Sequence, residues 1–151
     1  MKIAEDIINE KDQPMITIAH QATLLEALEA MVNHSIGAIV VTEGQNVEGI
    51  YTERDWLRET VQHQLDPRNE YIKDHMKTKL FSAPYNDPVY LLMDKILGKR
   101  IRHIFIMKED KYIGILSAHD IIKACLNERT KEMESMSWDY YENWCWKPKK
   151  R

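Results

Sequence analysis

The stretch GIYTERDWL, Gly49–Leu57, returns sixty-five positions later as GILSAHDII, Gly114–Ile122. Each copy reads glycine, isoleucine, a large apolar residue, a small hydroxyl residue, two variable residues, aspartate and two apolar residues. Sliding the chain by 65 aligns Glu5–Leu57 with Glu70–Ile122 without a gap. Glu5, Ile7, Ile36, Ile39, Gly49, Ile50 and Asp55 fall on Glu70, Ile72, Ile101, Ile104, Gly114, Ile115 and Asp120. The apolar pattern survives better than identity: PMITIA lies on KLFSAP, LLEALEAMV on VYLLMDKIL, and IGAIVV on IRHIFI. A gapless register of this length marks a duplicated unit.

Both copies predict the same elements. A short strand (Ile16–Ile18; Phe81–Ala83) leads to a helix. Its apolar face is Leu24, Ala27, Leu28 and Met31 in the first copy, and Val89, Leu92, Met93 and Ile96 in the second. Pro88 suits the first helical turn, where its missing N–H is not needed. A β-branched run, AIVV or HIFI, then a turn, TEGQN or KEDK, precede a second strand ending at GIYT or GILS. The last helix starts at ERDWL or AHDII. The expected class is α/β: two βαββα units related by a pseudo-twofold and packed sheet to sheet, since one unit alone leaves a sheet face uncovered. HQLDPRN around Pro67 links the copies, giving units at 1–64 and 65–128 and a tail at 129–151.

Composition narrows the function classes. The chain has 151 residues, is 44% hydrophobic and 30% charged, and carries a formal charge of -3. That balance argues against wholesale nucleic-acid binding, which needs a strongly basic face. No apolar run reaches the roughly 20 residues of a membrane span. The start, MKIAEDIINE, is acidic where a signal peptide carries a basic and then an apolar region, so a cytoplasmic protein is expected. Cys125 and Cys145 stand alone, with no metal-ligand spacing, and read as reduced thiols. His20, His34, His63 and His75 lie far apart with no i,i+4 pair, which gives no metal site. Gly totals only five, without a phosphate loop or nucleophile elbow, so no catalytic residue is expected.

The chemistry sits in Thr52–x–x–Asp55 and Ser117–x–x–Asp120. At a strand-to-helix junction, a hydroxyl followed three residues later by an acid caps the helix. The same corner suits a nucleotide: helix-start N–H groups and a hydroxyl attract phosphate, and a carboxylate accepts both hydroxyls of a ribose. The two roles are compatible.

With GIYTERD, GILSAHD and RIRHIFI in this order and spacing, residues 1–128 resemble a tandem cystathionine-β-synthase-type (CBS) domain pair, or Bateman module. The resemblance implies regulation rather than catalysis, through an adenosyl ligand (AMP, ADP, ATP, NAD or S-adenosylmethionine) in clefts between the repeats. Carried over by position, one site comprises Ile16, Ile36 and Gly37 at the base, Ser117 and Asp120 at the ribose, and Arg102 and His103 at the phosphate. The other comprises Thr52, Asp55, Phe81 and Ile101, with Gly37 and Ala38 where cations would stand and Arg54 as a partial substitute. On this reading the first site is the better equipped. The resemblance also implies a homodimer joined through helices.

The tail, NERTKEMESMSWDYYENWCWKPKKR, holds Trp138, Tyr140, Tyr141, Trp144 and Trp146 and ends in Lys147, Lys149, Lys150 and Arg151. Packing on the protein itself or across a dimer, docking to a protein partner through 133–151, and membrane-surface anchoring all fit it. The rival to nucleotide sensing is a ligand-independent scaffold in which Asp55 and Asp120 only cap helices and the tail is the active surface.

Overall fold

The computed structural model describes residues 1–11 and 13–144, with side chains through residue 135. The expected tail contacts of Trp138 and its aromatic neighbours lie outside the described residues.

Each repeat contributes a three-stranded sheet. In the first, β1 (Thr17–Ala19) runs parallel to β2 (Ala38–Glu43), which pairs antiparallel with β3 (Asn46–Thr52); in the second, β4 (Ser82–Pro84), β5 (His103–Lys108) and β6 (Lys111–Ser117) repeat the arrangement. Helices α2 (Leu24–Asn33) and α4 (Val89–Lys99) cross between the parallel strands, and α3 (Glu53–Gln62) and α5 (Ala118–Trp144) follow the last strands. The ladders even slip at equivalent places, between Val41 and Thr42 and between Ile106 and Met107.

Side-chain alternation decides which face meets which. Ile39 and Val41 point into the first repeat's core with Leu24, Ala27, Met31 and Tyr51, while Val40 between them points to the other sheet. Ile104 and Ile106 likewise face Leu92, Ile96 and Leu116, and Phe105 faces across. Val40, Ile50 and Phe105, flanked by Leu80, Tyr112 and Ile115, form the seam where the sheets meet.

Two leading elements were not expected, and they cross over. Helix α1 (Ala4–Asn9) buries Ala4 and Ile7 in the second repeat's core, and a 3-10 turn at Ile72–Asp74 buries Ile72 in the first. Backbone bonds anchor both elements to the helix start of the repeat they enter. The Ala4 N–H donates to the Asp87 carbonyl at 2.9 Å and the Val89 N–H to the Lys2 carbonyl at 3.0 Å. In the other half the Leu24 N–H donates to the Glu70 carbonyl at 2.8 Å and the Ile72 N–H to the Ala22 carbonyl at 2.9 Å. Burying an isoleucine in this way stabilises by about 1.5–3 kcal/mol.

Two local expectations shift. The first strands begin at Thr17 and Ser82, because Ile16 and Phe81 give only their carbonyls, to Val40 and Phe105. Pro88 is the N-cap of α4, one position before its first turn. Helix α5 runs unbroken past residue 128 into the tail.

Candidate functional site

The crossed packing explains the repeated glycines. A Cβ on Gly114 would stand 2.5 Å from Ile8 Cδ1, and one on Gly49 2.6 Å from Met76 Sδ and 2.9 Å from the Lys77 carbonyl oxygen. Glycine therefore lets each leading segment lie directly on the other repeat's last strand. That proximity places a lysine beside each motif aspartate. Lys11 Nζ donates to Asp120 Oδ2 at 3.0 Å and to the Ile115 carbonyl at 3.1 Å. Lys77 Nζ pairs with Asp55 Oδ1 at 2.5 Å, while its backbone exchanges hydrogen bonds with Ile50 at 2.8 and 3.0 Å. Sequence reasoning missed both lysines, because each lies outside the repeated motifs, in the segment leading to its unit's first strand.

Both aspartates also cap their helices. Asp55 Oδ2 accepts the Thr52 hydroxyl at 2.6 Å and its N–H at 3.2 Å; the Asp55 N–H returns a bond to Thr52 Oγ1 at 3.3 Å. Asp120 Oδ2 accepts the Ser117 hydroxyl and N–H, both at 2.8 Å, with a return bond of 3.2 Å. The difference lies in what remains. Asp55 is 5% exposed and both of its oxygens are engaged. The Asp120 side chain is 22% exposed, and all of its bonds among the described residues go to Oδ2. Burial opposes both charges. At Asp120 the Ser117 N–H, Lys11 and the Ser117 hydroxyl outweigh it, and at Asp55 Lys77 and Thr52 do, so both carboxyls sit below the usual range.

Two clefts open between the repeats. The first, about 480 Å³, joins Ser117, Asp120 and Lys123 of the second repeat to Ser35, Ile36 and Gly37 of the first, with Lys11 and Glu10 at its α1 side. The second, about 250 Å³, joins Thr52, Glu53 and Arg54 to Phe81, Ile101 and Arg102. His103 and Gly37 line both.

Several expected groupings change. Arg102 stands in the second cleft, not the first, because the segment leading into each middle strand enters the other repeat's cleft: 35–38 the first, 100–103 the second. The second cleft therefore has cations where glycine and alanine were expected. Ile16 lines neither cleft and packs on the first repeat's core. Asp55 faces a separate polar pocket with Arg58, Glu59, His63, His75 and Lys77. Ile36, Gly37, His103, Ser117 and Asp120 come together in the first cleft, and Thr52, Arg54, Phe81 and Ile101 in the second. Burial, helped by Lys11 and Arg102 and partly countered by Asp120, pushes the His103 imidazole below its ordinary value.

The family model for the CBS domain matches this sequence twice, over residues 4–61 and 72–127. The chain belongs to the CBS-domain family. A curated relative, the mitochondrial CBS domain-containing protein CBSX3 of Arabidopsis thaliana, is 31% identical over 120 residues, 76% of this chain. The CBS pair spans 58% of that relative's length. Among solved structures, a CBS-domain containing protein of Agrobacterium tumefaciens is 27% identical with a TM-score of 0.75, covering 82% of this chain and 98% of that one. A CBS domain protein of Pyrobaculum aerophilum, solved in complex with AMP, has a TM-score of 0.69 at 21% identity, covering 79% of this chain and 89% of that one; this likeness is one of fold. No helix among the described residues is long and apolar enough to cross a membrane.

Proposed function

We propose that this CBS pair is a regulatory module that binds an adenosyl ligand in its first cleft and changes how it associates with a partner. The observation that carries this reading is the free face of Asp120. Its Oδ2 is fixed by Ser117 and Lys11, which leaves Oδ1 for a ribose hydroxyl at the wall of a 480 Å³ cleft. That volume lies within the roughly 300–1,000 Å³ of small-molecule sites. Ile36 supplies an apolar wall for the base, beside the backbone of Gly37. The AMP complex of a protein with this fold supports the ligand class. The role is binding; no residue is assigned to catalysis.

A homodimer fits the outer surface. Val32, Leu57 and Val61 are 77%, 66% and 80% exposed, and their equivalents in the second repeat, Leu97, Ile122 and Leu126, are 64%, 44% and 63% exposed. Both repeats thus carry the same uncovered apolar helix face, suited to a second copy. A protein partner for the 133–151 tail remains part of this proposal.

Thermal unfolding with AMP, ADP, ATP, NAD and S-adenosylmethionine in turn tests the reading. A ligand at about 100 times its Kd adds about 2.7 kcal/mol, a rise of several degrees, and Asp120→Ala abolishes that rise while remaining folded. No rise with any ligand, in protein freed of co-purified nucleotide, favours the scaffold reading instead.

A further inference from the structure

The two clefts share His103 and Gly37 as a common wall, yet they differ sharply in charge. In the first, Lys2 pairs with Glu10 at 2.5 Å and Lys11 with Asp120 at 3.0 Å, which leaves Lys123 as the cation of that lining without an ion pair among the described residues. In the second, Arg54, Lys77, Lys79, Arg100 and Arg102 face a single lining carboxylate, Glu53. Lys77 is paired with Asp55, so four cations are left for a ligand. The second cleft also lacks a ribose acceptor, because both Asp55 oxygens are engaged and the residue points into the neighbouring pocket. At about 250 Å³ it falls just under the roughly 300 Å³ at which small-molecule sites begin.

Arg100 adds a separate observation. It closes α4 in the left-handed region at φ 52°, a position that glycine fills at lower cost. Its equivalent in the first repeat, Ser35, takes the same φ of 52°, so the conformation belongs to the duplicated turn, and what is particular to the second repeat is that this turn carries an arginine into the basic cleft.

We propose that the two clefts hold one ligand: the adenosine in the first, with its phosphate chain passing His103 and Gly37 into the basic second cleft. The protein then measures phosphate-chain length and prefers a nucleoside triphosphate to a monophosphate. This rests on the adenosyl reading of the first cleft. A monophosphate reaches only the shared wall, whereas each further phosphate comes within reach of new guanidinium and ammonium donors, and charge-assisted bonds of this kind are the stronger ones. About tenfold per added phosphate is expected, each tenfold step being 1.4 kcal/mol.

The test is calorimetric titration of the full chain with AMP, ADP, ATP and tripolyphosphate at one fixed low salt concentration without divalent metal, with wild type, Asp120→Asn and Lys79→Gln/Arg100→Gln. ATP should bind about 100-fold tighter than AMP, and the double variant should reduce that ratio at least tenfold. Tripolyphosphate should compete with ATP. AMP and ATP binding equally, the ratio surviving the double variant, or ATP and tripolyphosphate binding together each overturns the shared-ligand proposal while leaving the first cleft intact, provided AMP binds and Asp120→Asn weakens it. AMP failing to bind, or binding unchanged in Asp120→Asn, overturns both readings.

Discussion

Replacing the two motif aspartates one at a time separates the cap from the ligand group. Asp55→Asn removes the partner of Lys77 at a site that is 5% exposed and weakens a cap in which Oδ2 takes two bonds. A lost N-cap costs about 1 kcal/mol. Breaking a buried ion pair costs about 3–5 kcal/mol, but the Lys77 side chain is 55% exposed and can turn to water. A total of about 2–3 kcal/mol is expected. Asp120→Asn weakens a similar cap, and its ion pair is 22–29% exposed, which places it among pairs contributing at most about 1 kcal/mol. The expected cost is about 1–2 kcal/mol. Binding should follow the opposite order. A hydrogen bond from a ribose to a charged acceptor contributes about 1.5–3 kcal/mol, so Asp120→Asn weakens AMP about 10- to 150-fold, whereas Asp55→Asn changes it less than about threefold. Urea unfolding gives the first pair of numbers and calorimetry the second. If Asp55→Asn weakens AMP as much as Asp120→Asn, or Asp120→Asn leaves it unchanged, the unequal roles assigned to the two carboxylates are wrong.

Gly49→Ala should cost about 2–3 kcal/mol in urea unfolding, because its Cβ meets the Lys77 backbone as well as Met76; Gly114→Ala meets no backbone, only the Ile8 side chain, and should cost less, about 1–2 kcal/mol. Stability should fall as pH drops below about 6.5 through His103, since the unfolded chain binds that proton more readily, and His103→Gln should flatten this part of the profile. Asp55 and Asp120, held below their usual range, keep their stabilisation above about pH 4 and lose it as the pH falls further. Arg100→Gly should raise stability by about 0.5–1 kcal/mol, the left-handed cost relieved less the entropy of glycine, while it lowers the ATP-to-AMP affinity ratio.

The repeat was legible because core positions in both copies obey the same periodicities, so Ile39 and Ile104, or Leu24 and Val89, announce themselves. The crossing of α1 and of the Ile72 turn was not. Periodicity says that Ile7 and Ile72 are buried but not beneath which sheet, and both copies give the same local signal. One clue stood in the sequence: glycine recurs at 49 and 114 inside strands that otherwise favour bulky residues, which marks a close approach of other chain. The family pattern sets both Arg102 and His103 beside Asp120 by position, and only His103 lines that cleft. Which cleft a segment enters depends on the direction of the pseudo-twofold, and that lies in the packing of Val40, Ile50 and Phe105 rather than in any motif.

The crossing also supplies a route from the cleft to the surface, and Lys11 tests it. Lys11 follows α1, whose Ile7 and Ile8 pack on the second repeat, and it ends on the carboxylate offered to the ribose. A ligand can act as a signal only if it prefers one arrangement of this contact over another; tight binding without that preference shifts nothing. Lys11→Met removes a partly exposed pair and a bond to the Ile115 carbonyl, so about 1 kcal/mol or less of stability is at stake. In the wild type, adenosine should change hydrogen exchange at the α1 amides, Ala4–Asn9, and leave the β5 core amides unmoved. In Lys11→Met, adenosine should still bind, since Asp120 keeps its place through Ser117, but α1 should no longer respond. Adenosine is the right probe because it carries no phosphate, so losing the Lys11 charge does not itself weaken binding. An α1 response that persists in Lys11→Met assigns the coupling to other contacts, and an absent response in the wild type removes α1 from the signal altogether.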